Sequence, residues 1–422
     1  MSRMSRQALL PLLSSSLAVA ALVAVTGCAD FDRQDHIEDT RVLAVRTEPA
    51  EVKFSPLYSL LPPSDRPPFL QLPAPGPMTV EVFAYDPRGG LIRTSTQMCP
   101  PNAPDSSCLN NYEPEDFLQD FTDEQREVLD DLYVPHEQEQ TVTDEMVVED
   151  PAGRLRNVGF TFDFNSTVID SIVQGDLPVF PIYPRVVVEA ENLRPLPGKD
   201  PVETFDGAFK ERAFKRIPVS MDFEDPSLPV ELRTVLYDIL GFPACEQSWD
   251  EVEIIDSDPS DCIYAFPANQ NPELLGFDIL DAEKQPVYDP DDPQTPVLTL
   301  DGPLDIGKKS VVSAARGTVL HLDPVFPTGV SEPYQAFGID LETEAFTLQN
   351  RREDIVVTWY TTAGDVGPTQ NTVLLNLTMG VDWTLPSAND DRFEAGDRIT
   401  LIAVVRDQRG GVDVGEVVVE LR

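Results

Sequence analysis

The chain has 422 residues, of which 73 are acidic and 31 are basic, and its formal net charge at pH 7 is -42. An acidic surface of this kind repels nucleic acid and anionic lipid headgroups, which excludes the nucleic-acid-binding classes of protein. Hydrophobic residues make up 41% of the chain and aromatic residues 8%, which is enough for the folded cores of two or three domains at this length.

The first 27 residues have the pattern of an export signal. Arg3 and Arg6 precede an apolar stretch, and residues 25–28 read Val-Thr-Gly-Cys. A charged start, an apolar middle and small residues before the cleavage point are typical of a secretory signal, and the last four residues match the bacterial lipobox. We therefore expect a lipoprotein signal peptide at 1–27 and lipidation of Cys28, because two or three acyl chains anchor a protein stably to a membrane.

Two other interpretations of this end are an ordinary cleaved signal with an unmodified Cys28 and an uncleaved transmembrane helix. The uninterrupted apolar stretch 17–25 is too short to cross a bilayer, which argues against the helix.

In enteric-type bacteria an Asp directly after the lipidated Cys retains the protein at the inner membrane. Ala29 follows Cys28 here, which favours the outer membrane.

Four further cysteines fall into two local pairs. An even number of cysteines behind an export signal is typical of disulfides. We predict the disulfides Cys99–Cys108 and Cys245–Cys262, each of which would stabilise the fold by roughly 3 kcal/mol in the chain-entropy model. The alternative is a four-thiolate metal site, which the lack of any C-x2-C spacing and the oxidising compartment disfavour.

Residues 28–39 are polar and are predicted to form a tether, and a first β-sandwich domain is predicted at 40–222. Eight prolines between 56 and 77 exclude a helix or a central strand there and predict an extended loop. Thr122 with Gln125 makes a capping box, which predicts a short helical insertion. Period-two alternation predicts strands at 41–46, 79–85, 158–164, 185–190 and 214–221.

Residues 223–268 are predicted to be a connector. Its first part, 228–240, has the pattern of a helix, and Gly241 is the expected C-terminal stop. Its second part is the loop between Cys245 and Cys262, which is crowded with acidic residues.

A second domain is predicted at 269–422, because short strands separated by Gly, Pro and Asp turns favour an all-β sandwich. Trp359 is expected in its core, where a strand tryptophan packs in immunoglobulin-like domains. The predicted fold is thus mainly β, with two immunoglobulin-like antiparallel β-sandwich domains, a short helical insertion and a helical connector. The strands of the second domain are predicted at 276–280, 296–300, 318–322, 354–361, 372–378, 398–406 and 414–421.

Two strand–turn–strand segments echo each other. The turn at 86–90 reads Asp-Pro-Arg-Gly-Gly and the turn at 407–411 reads Asp-Gln-Arg-Gly-Gly. Convergent turn chemistry and duplication of a domain both explain the match.

Three segments resemble uncharacterised lipoproteins that are abundant in myxobacteria and their relatives. They are the lipobox with RVLAVRTEPAEV at 41–52, NQNPELLG at 269–276 and VRDQRGGV at 405–412. The resemblance implies a location in the cell envelope and immunoglobulin-like domains, and it implies no activity.

Few residues suit catalysis. The three histidines, His36, His136 and His321, lack the spacing of metal ligands, and no G-x-S-x-G motif supplies a nucleophile. Paired carboxylates can hydrolyse glycosides, but no motif singles out one pair among the 73 acids. We therefore predict no catalytic residue, and a secreted or surface carbohydrate-active hydrolase or esterase is the alternative.

Calcium is the one ligand that the sequence favours, because Ca²⁺ takes hard oxygen ligands from acidic loops. No other cofactor is predicted. None of the acidic clusters fits the EF-hand register, and solvated turn residues are the alternative. The candidate ligands are Asp256, Asp258, Asp261, Asp289, Asp291, Asp292, Asn389, Asp390, Asp391 and Asp397.

The sequence as a whole predicts a lipid-anchored envelope lipoprotein of the outer membrane, facing the periplasm or the cell surface. Its expected role is structural or binding, with an envelope protein or polysaccharide as the partner and no nucleic acid. Membership of a larger envelope complex is a further alternative, which large exposed apolar patches on the folded surface would favour.

Overall fold

The computed structural model describes most of the predicted strands but not every residue. The described residues are 35–38, 40–54, 78–87, 90–99, 136–142, 154–155, 161–162, 185–192, 210–222, 230–256, 258–280, 288–289, 292–296, 311–339, 346–373 and 380–422. The predicted Pro-rich loop 56–77, the helix that begins at Thr122 and Cys108 lie outside these ranges.

The N-terminal part of the chain is built from ten strands in the described residues. They are β1 (Arg41–Glu48), β2 (Val52–Phe54), β3 (Met78–Tyr85), β4 (Gly90–Cys99), β5 (His136–Val142), β6 (Arg154–Leu155), β7 (Thr161–Phe162), β8 (Arg185–Asn192), β9 (Lys210–Arg216) and β10 (Val219–Met221). One sheet has the order β1-β3-β6, with β7 also paired to β3, and a second has the order β5-β4-β8-β9. Strands β2 and β10 pair in parallel.

The middle of the chain holds the one α-helix of the described residues, α1 (Val230–Leu240), and a 3₁₀ turn at Trp249–Glu251. The helix agrees with the prediction for 228–240. It ends at Gly241, whose φ of 77° is a left-handed conformation that glycine adopts at low cost. No helix in the described part of the chain is long and apolar enough to span a membrane.

The C-terminal part contains thirteen described strands. They are β11 (Gly276–Leu280), β12 (Tyr288–Asp289), β13 (Asp292–Pro296), β14 (Val311–Ala314), β15 (Val319–Val325), β16 (Pro333–Ile339), β17 (Phe346–Arg352), β18 (Ile355–Thr361), β19 (Asp365–Gly367), β20 (Gln370–Val373), β21 (Val381–Thr384), β22 (Arg398–Arg406) and β23 (Val412–Leu421). Two larger sheets have the orders β11-β15-β21-β19 and β14-β23-β22-β18-β20, and β16 and β17 form a separate hairpin.

The main hydrophobic core lies between the two larger C-terminal sheets. Trp359 on β18 and Trp383 on β21 are both fully buried in it, and the Trp359 ring centroid is 5.8 Å from that of Phe277 on β11. The expected core position of Trp359 is confirmed. The mainly β prediction is confirmed as well, and the facing sheets fit the β-sandwich class.

Strands β22 and β23 of the five-stranded sheet are buried on both faces. One face of β22 lines the main core, and the opposite face carries Ile402 and Val404, which pack with Leu43 of β1 and Tyr85 of β3. Seven consecutive residues of β22 are therefore buried. This explains why Ile399–Val405 reads as a continuous apolar run rather than as an alternating one.

Several predicted boundaries need correction. The single strand predicted at 214–221 is two strands, because Pro218 has no N–H to continue a ladder. Of the strand predicted at 296–300, only Pro296 is described, and it ends β13; residues 297–300 lie outside the described ranges. His136 begins β5, which pairs with β4.

The two similar turns differ in their surroundings. The turn at 407–411 joins β22 and β23 in an antiparallel hairpin. The turn at 86–90 joins β3 and β4, which belong to different sheets. The sequence similarity of 86–90 and 407–411 therefore reflects shared turn residues and not a shared hairpin.

The last described residues of the predicted tether at 28–39 are bound to the C-terminal strands. His36 bridges to Thr361 at the end of β18, with Ile37 N donating to Thr361 O at 2.9 Å and Thr361 N donating to Asp35 O at 2.8 Å. His36 Nε2 lies 2.7 Å from Gly364 O. The Ile37 side chain is buried in the same cluster as Ile402. We call Asp35, His36 and Ile37 the strap.

Candidate functional site

The most concentrated group of buried charges centres on Arg409, in the turn between β22 and β23. Its Nη2 donates to Glu51 Oε2, and its Nη1 lies 3.3 Å from Glu353 Oε1. Its guanidinium carbon is 5.2 Å from the ring centroid of Tyr334, a cation–π distance. Glu51 follows β1 and Glu353 joins β17 to β18, so one side chain links the two parts of the chain.

Asp407 fixes the conformation that presents Arg409. Asp407 Oδ1 accepts hydrogen bonds from Arg409 N at 2.8 Å and from Gly411 N at 2.7 Å, and Gly410 has a left-handed φ of 102°. A Cβ on Gly411 would overlap Asp407 Oδ2 and crowd Gln270 O. The Asp and the two Gly residues of the Asp-x-Arg-Gly-Gly sequence are thus explained by what the turn requires.

Hydrogen bonds tie the end of the connector to the same group. Asn269 is buried, its Nδ2 donates to Asp407 Oδ2 at 3.1 Å, and its backbone N donates to Glu51 Oε2 at 2.6 Å. Glu353 Oε2 accepts a hydrogen bond from Glu332 N at 3.1 Å. We call Glu51, Asn269, Glu353, Asp407 and Arg409 the clasp.

Burial perturbs the ionisation of the groups in and beside the clasp. Burial raises the pKa of Glu353 to about 8, with Asp407 adding to the rise and Arg409 opposing it. Burial lowers the pKa of Lys215 on β9 to about 8, and its Nζ has no hydrogen-bond partner. Burial also raises the pKa of Glu332, against the pull of Arg409. Each of these groups therefore resists taking its charge in the folded protein.

The contacts of the clasp connect segments of the chain that are distant in sequence. A hydrolase that uses two carboxylates needs them open to substrate on either side of the scissile bond. Glu51 and Glu353 are instead buried, and the guanidinium of Arg409 lies between them. These charges hold together β1, the connector and the C-terminal strands.

The sequence missed the clasp because its members are far apart in the chain. Glu51, Asn269, Glu353 and Arg409 carry no spacing motif. The sequence feature that could have indicated the clasp is the arginine in the turn at 407–411, because the conformation of the turn does not require an arginine there.

Cys245 and Cys262 form a disulfide, as predicted from their pairing in the sequence. The loop they close is held further by Cys245 N donating to Ile263 O at 3.0 Å and Ile263 N donating to Pro243 O at 2.8 Å. Cys99 ends β4, and its predicted partner Cys108 lies outside the described residues, so that disulfide stays a prediction.

Three of the acids proposed for calcium bind other groups of the protein itself. Asp256 Oδ1 accepts from Arg352 N at 3.2 Å, Asp397 Oδ2 accepts from Glu394 N at 2.6 Å, and Asp390 pairs with Arg392. Among the residues that the structure describes, no group of three or more His, Cys, Asp or Glu side chains is arranged to hold a metal ion.

The other calcium candidates are likewise not gathered together. Asp258, Asp261, Asn389 and Asp391 are exposed. Asp289 and Asp292 pair in the short β12–β13 ladder, and Asp291 lies outside the described residues. The structure thus gives the calcium prediction no support.

His321 on β15 is buried beside two acids. Its Nδ1 lies 2.7 Å from Asp382 Oδ1 and its Nε2 lies 3.4 Å from Asp323 Oδ1. A Cβ on Gly380 would overlap the imidazole, so glycine allows the close approach. The polar contacts account for a histidine at this buried position.

The helix, the disulfide loop and the β16–β17 hairpin pack together. We call these residues, 230–268 with 333–352, the connector unit. Tyr237, Ile263 and Leu348 form its small core, with Phe242 packed against it. Ser260 N donates to Leu348 O at 2.9 Å, which joins the loop to the hairpin.

The surface of the connector unit is both apolar and acidic. Most of the strongly exposed large hydrophobic side chains of the described chain belong to it: Val230 at 70% exposure, Val235 at 48%, Ile255 at 54% and Phe337 at 38%. The half-buried rings of Trp249 and Tyr264 each lie 5.7 Å from that of Phe266. The exposed acids of the loop are Glu246, Asp250, Glu251, Glu253, Asp256, Asp258 and Asp261.

No family model and no curated protein matches the chain. Similar solved structures include Escherichia coli alpha-2-macroglobulin activated by porcine elastase (TM-score 0.15, 6% identity), the BSP domain of a biofilm associated protein (0.20, 8%) and dimeric latent PorU from Porphyromonas gingivalis (0.16, 10%). The matches cover 93%, 93% and 92% of this chain, but only 23%, 61% and 34% of those chains. At these TM-scores the similarity carries no argument about fold or function.

Replacing Arg409 by Met is expected to destabilise the protein by about 3–5 kcal/mol, because the Glu51 carboxylate would remain buried without its cation. The free energy of unfolding from urea titration measures this. Arg392→Met is the matched control, since its ion pair with Asp390 is exposed and such pairs contribute little. Equal effects of the two substitutions would show that Arg409 does not hold the clasp.

The stability of the protein is expected to fall as the pH rises from about 4.5 to about 8. In this window the folded protein keeps a proton on Glu353, whose pKa is raised to about 8, while the unfolded chain releases it. Glu353→Gln should flatten the dependence when unfolding free energies are compared at several pH values.

Lys215 supplies the control for this pH dependence. Its pKa is lowered from 10.5 to about 8, so the folded protein binds fewer protons between these values and stability should rise with pH there. Lys215→Met should remove only that high-pH slope. An unchanged low-pH slope in Glu353→Gln would contradict the assignment to Glu353.

Proposed function

We propose that the protein is a lipid-anchored lipoprotein of the bacterial outer membrane that acts as a non-catalytic interaction module. The lipobox that ends at Cys28 supports the anchor. The observation that carries the interaction role is the connector unit, where exposed apolar side chains such as Val230 and Ile255 occur together with exposed acids. Exposed apolar surface of this kind is typical of protein–protein contact sites.

We also propose that the two parts of the chain are immunoglobulin-like domains, with boundaries at 40–222 and 269–422. The sandwich packing around Trp359 supports this for the second domain. The first domain shares an apolar interface with β22 and β23, and the clasp adds buried charges at the same junction. A rigid pair of domains suits a scaffold that holds a binding surface in a fixed place.

The partner that fits the connector unit is an envelope protein with a basic and partly apolar surface. Lysine and arginine side chains would pair with the exposed acids of the loop, and aliphatic groups would cover Val235 and Phe337. Charge complementarity of this kind steers encounter and fixes orientation. A polysaccharide is the other class of partner, which the crosslinking experiment below distinguishes.

The anchor is tested by mass spectrometry of the protein from fractionated native membranes. We expect a diacyl- or triacyl-modified peptide that begins at Cys28 in the outer-membrane fraction of the wild type. Cys28→Ser should lose both the lipid and the membrane association. A wild-type protein that is soluble and unlipidated would overturn the proposal and reopen the hydrolase alternative.

The partner is tested with a photo-crosslinking residue at Val235 in the lipidated protein of native cells. We expect an adduct of one defined protein mass, weakened by high salt because screening reduces the charge attraction. Phe214 is the matched control position, because it is also exposed, at 62%, but lies on β9 outside the connector unit. Equal adducts at both positions, or a carbohydrate adduct at Val235, would overturn the protein-partner proposal.

A further inference from the structure

The strap attaches the segment nearest the lipidation site to one defined place on the C-terminal strands. Two backbone hydrogen bonds join Asp35 and Ile37 to Thr361, and His36 contacts Gly364 O. The side chain of Ile37 is 1% exposed. The chain is therefore held where β18 ends and the turn to β19 begins, and it is not free up to the start of β1.

The clasp lies at the opposite end of the same sheet. Strand β18 runs from Ile355, next to Glu353 of the clasp, to Thr361 at the strap. Its neighbour β22 runs the other way, with Leu401 paired to Thr361 and Arg406 paired to Val356. At about 3.3 Å per residue, the two ends of β18 are roughly 20 Å apart.

The chain between the lipid and the strap is short. Seven residue steps separate Cys28 from Asp35, and a fully extended chain spans at most about 3.6 Å per residue. Asp35 therefore lies within about 25 Å of the Cα of Cys28 in any conformation. A lipid on Cys28 holds this end of the sheet close to the bilayer.

The two ends of the sheet do not differ in the sign of their charge. The connector unit, which is joined to the clasp end through Asn269, exposes seven acids in its loop. The loop near the strap is also acidic, with Asp391 and Asp397 exposed and Asp390 paired with Arg392. The short chain between Cys28 and the strap, and not charge, therefore favours the strap end as the end nearer the bilayer.

We propose that the strap end of the C-terminal sandwich, around Thr362 and Asp365, faces the lipid bilayer, while the clasp and the connector unit point away from it. The inference rests on the proposed lipidation of Cys28 and deepens it, because it assigns the membrane-facing surface. This surface lies near the headgroups and does not insert between them, because Thr362 and Asp365 are polar. The acidic, apolar face of the connector unit is thereby presented to a partner at a distance from the membrane.

The orientation is tested by energy transfer from a protein label to a lipid label. Asp365→Cys places a donor at the strap end, and Glu273→Cys places it at the clasp end, where the adjacent Leu274 N donates to Asp413. Both positions are exposed. The lipidated proteins are reconstituted in phosphatidylethanolamine–phosphatidylglycerol vesicles that carry an acceptor on the headgroup. The parent protein, with no added cysteine, controls for labelling elsewhere.

We expect clearly stronger transfer from position 365 than from position 273. An insertion of twenty Gly and Ser residues after Ala29 lengthens the tether without touching the strap, and Ile37→Asp releases the strap. Each should reduce the difference between the two labels. Equal transfer, or stronger transfer from 273, in a protein whose lipid is verified by mass would overturn the orientation alone. Absence of lipid on Cys28 would overturn both the orientation and the proposed anchor.

Discussion

The guanidinium of Arg409 is the contact on which the relation between the two parts of the chain depends. It lies between two buried carboxylates from distant segments, Glu51 and Glu353. Each carboxylate would be costly to bury alone. Because Asp407 holds the turn and also binds Asn269, the same turn sets the end of the connector. The five consecutive residues 407–411 thus both fix the end of the connector and supply the cation for the buried carboxylates.

The apolar contacts explain why this polar joint is placed where it is. Strands β22 and β23 offer one face to the main core and the other to β1 and β3. The clasp lies at one end of the interface between β22, β23 and the strands β1 and β3, beside the turn between β22 and β23. The strap lies at the opposite end, where Ile37 is buried. The N-terminal strands are therefore held against the sheet at both ends.

Local patterns predicted the local elements well. Alternation or apolar runs located β1, β3, β8 and β22, Gly241 ended the helix, and Cys245 and Cys262 were paired from their spacing. The errors arose where distant contacts decide. By sequence alone, residues 35–37 resemble a polar linker, because their hydrogen bonds are made with the distant Thr361. Glu51 likewise resembles a surface acid, because its partner Arg409 lies near the other end of the sequence. Short-range sequence patterns do not predict such long-range contacts.

The doubly covered sheet has a consequence for biogenesis. The surface that completes the packing of β1 and β3 is formed by residues 398–421, which leave the ribosome several hundred residues later. The side chains of Leu43 and Tyr85 therefore stay exposed until residues 398–421 have been synthesised. Premature termination would leave that apolar face open to proteases and to aggregation.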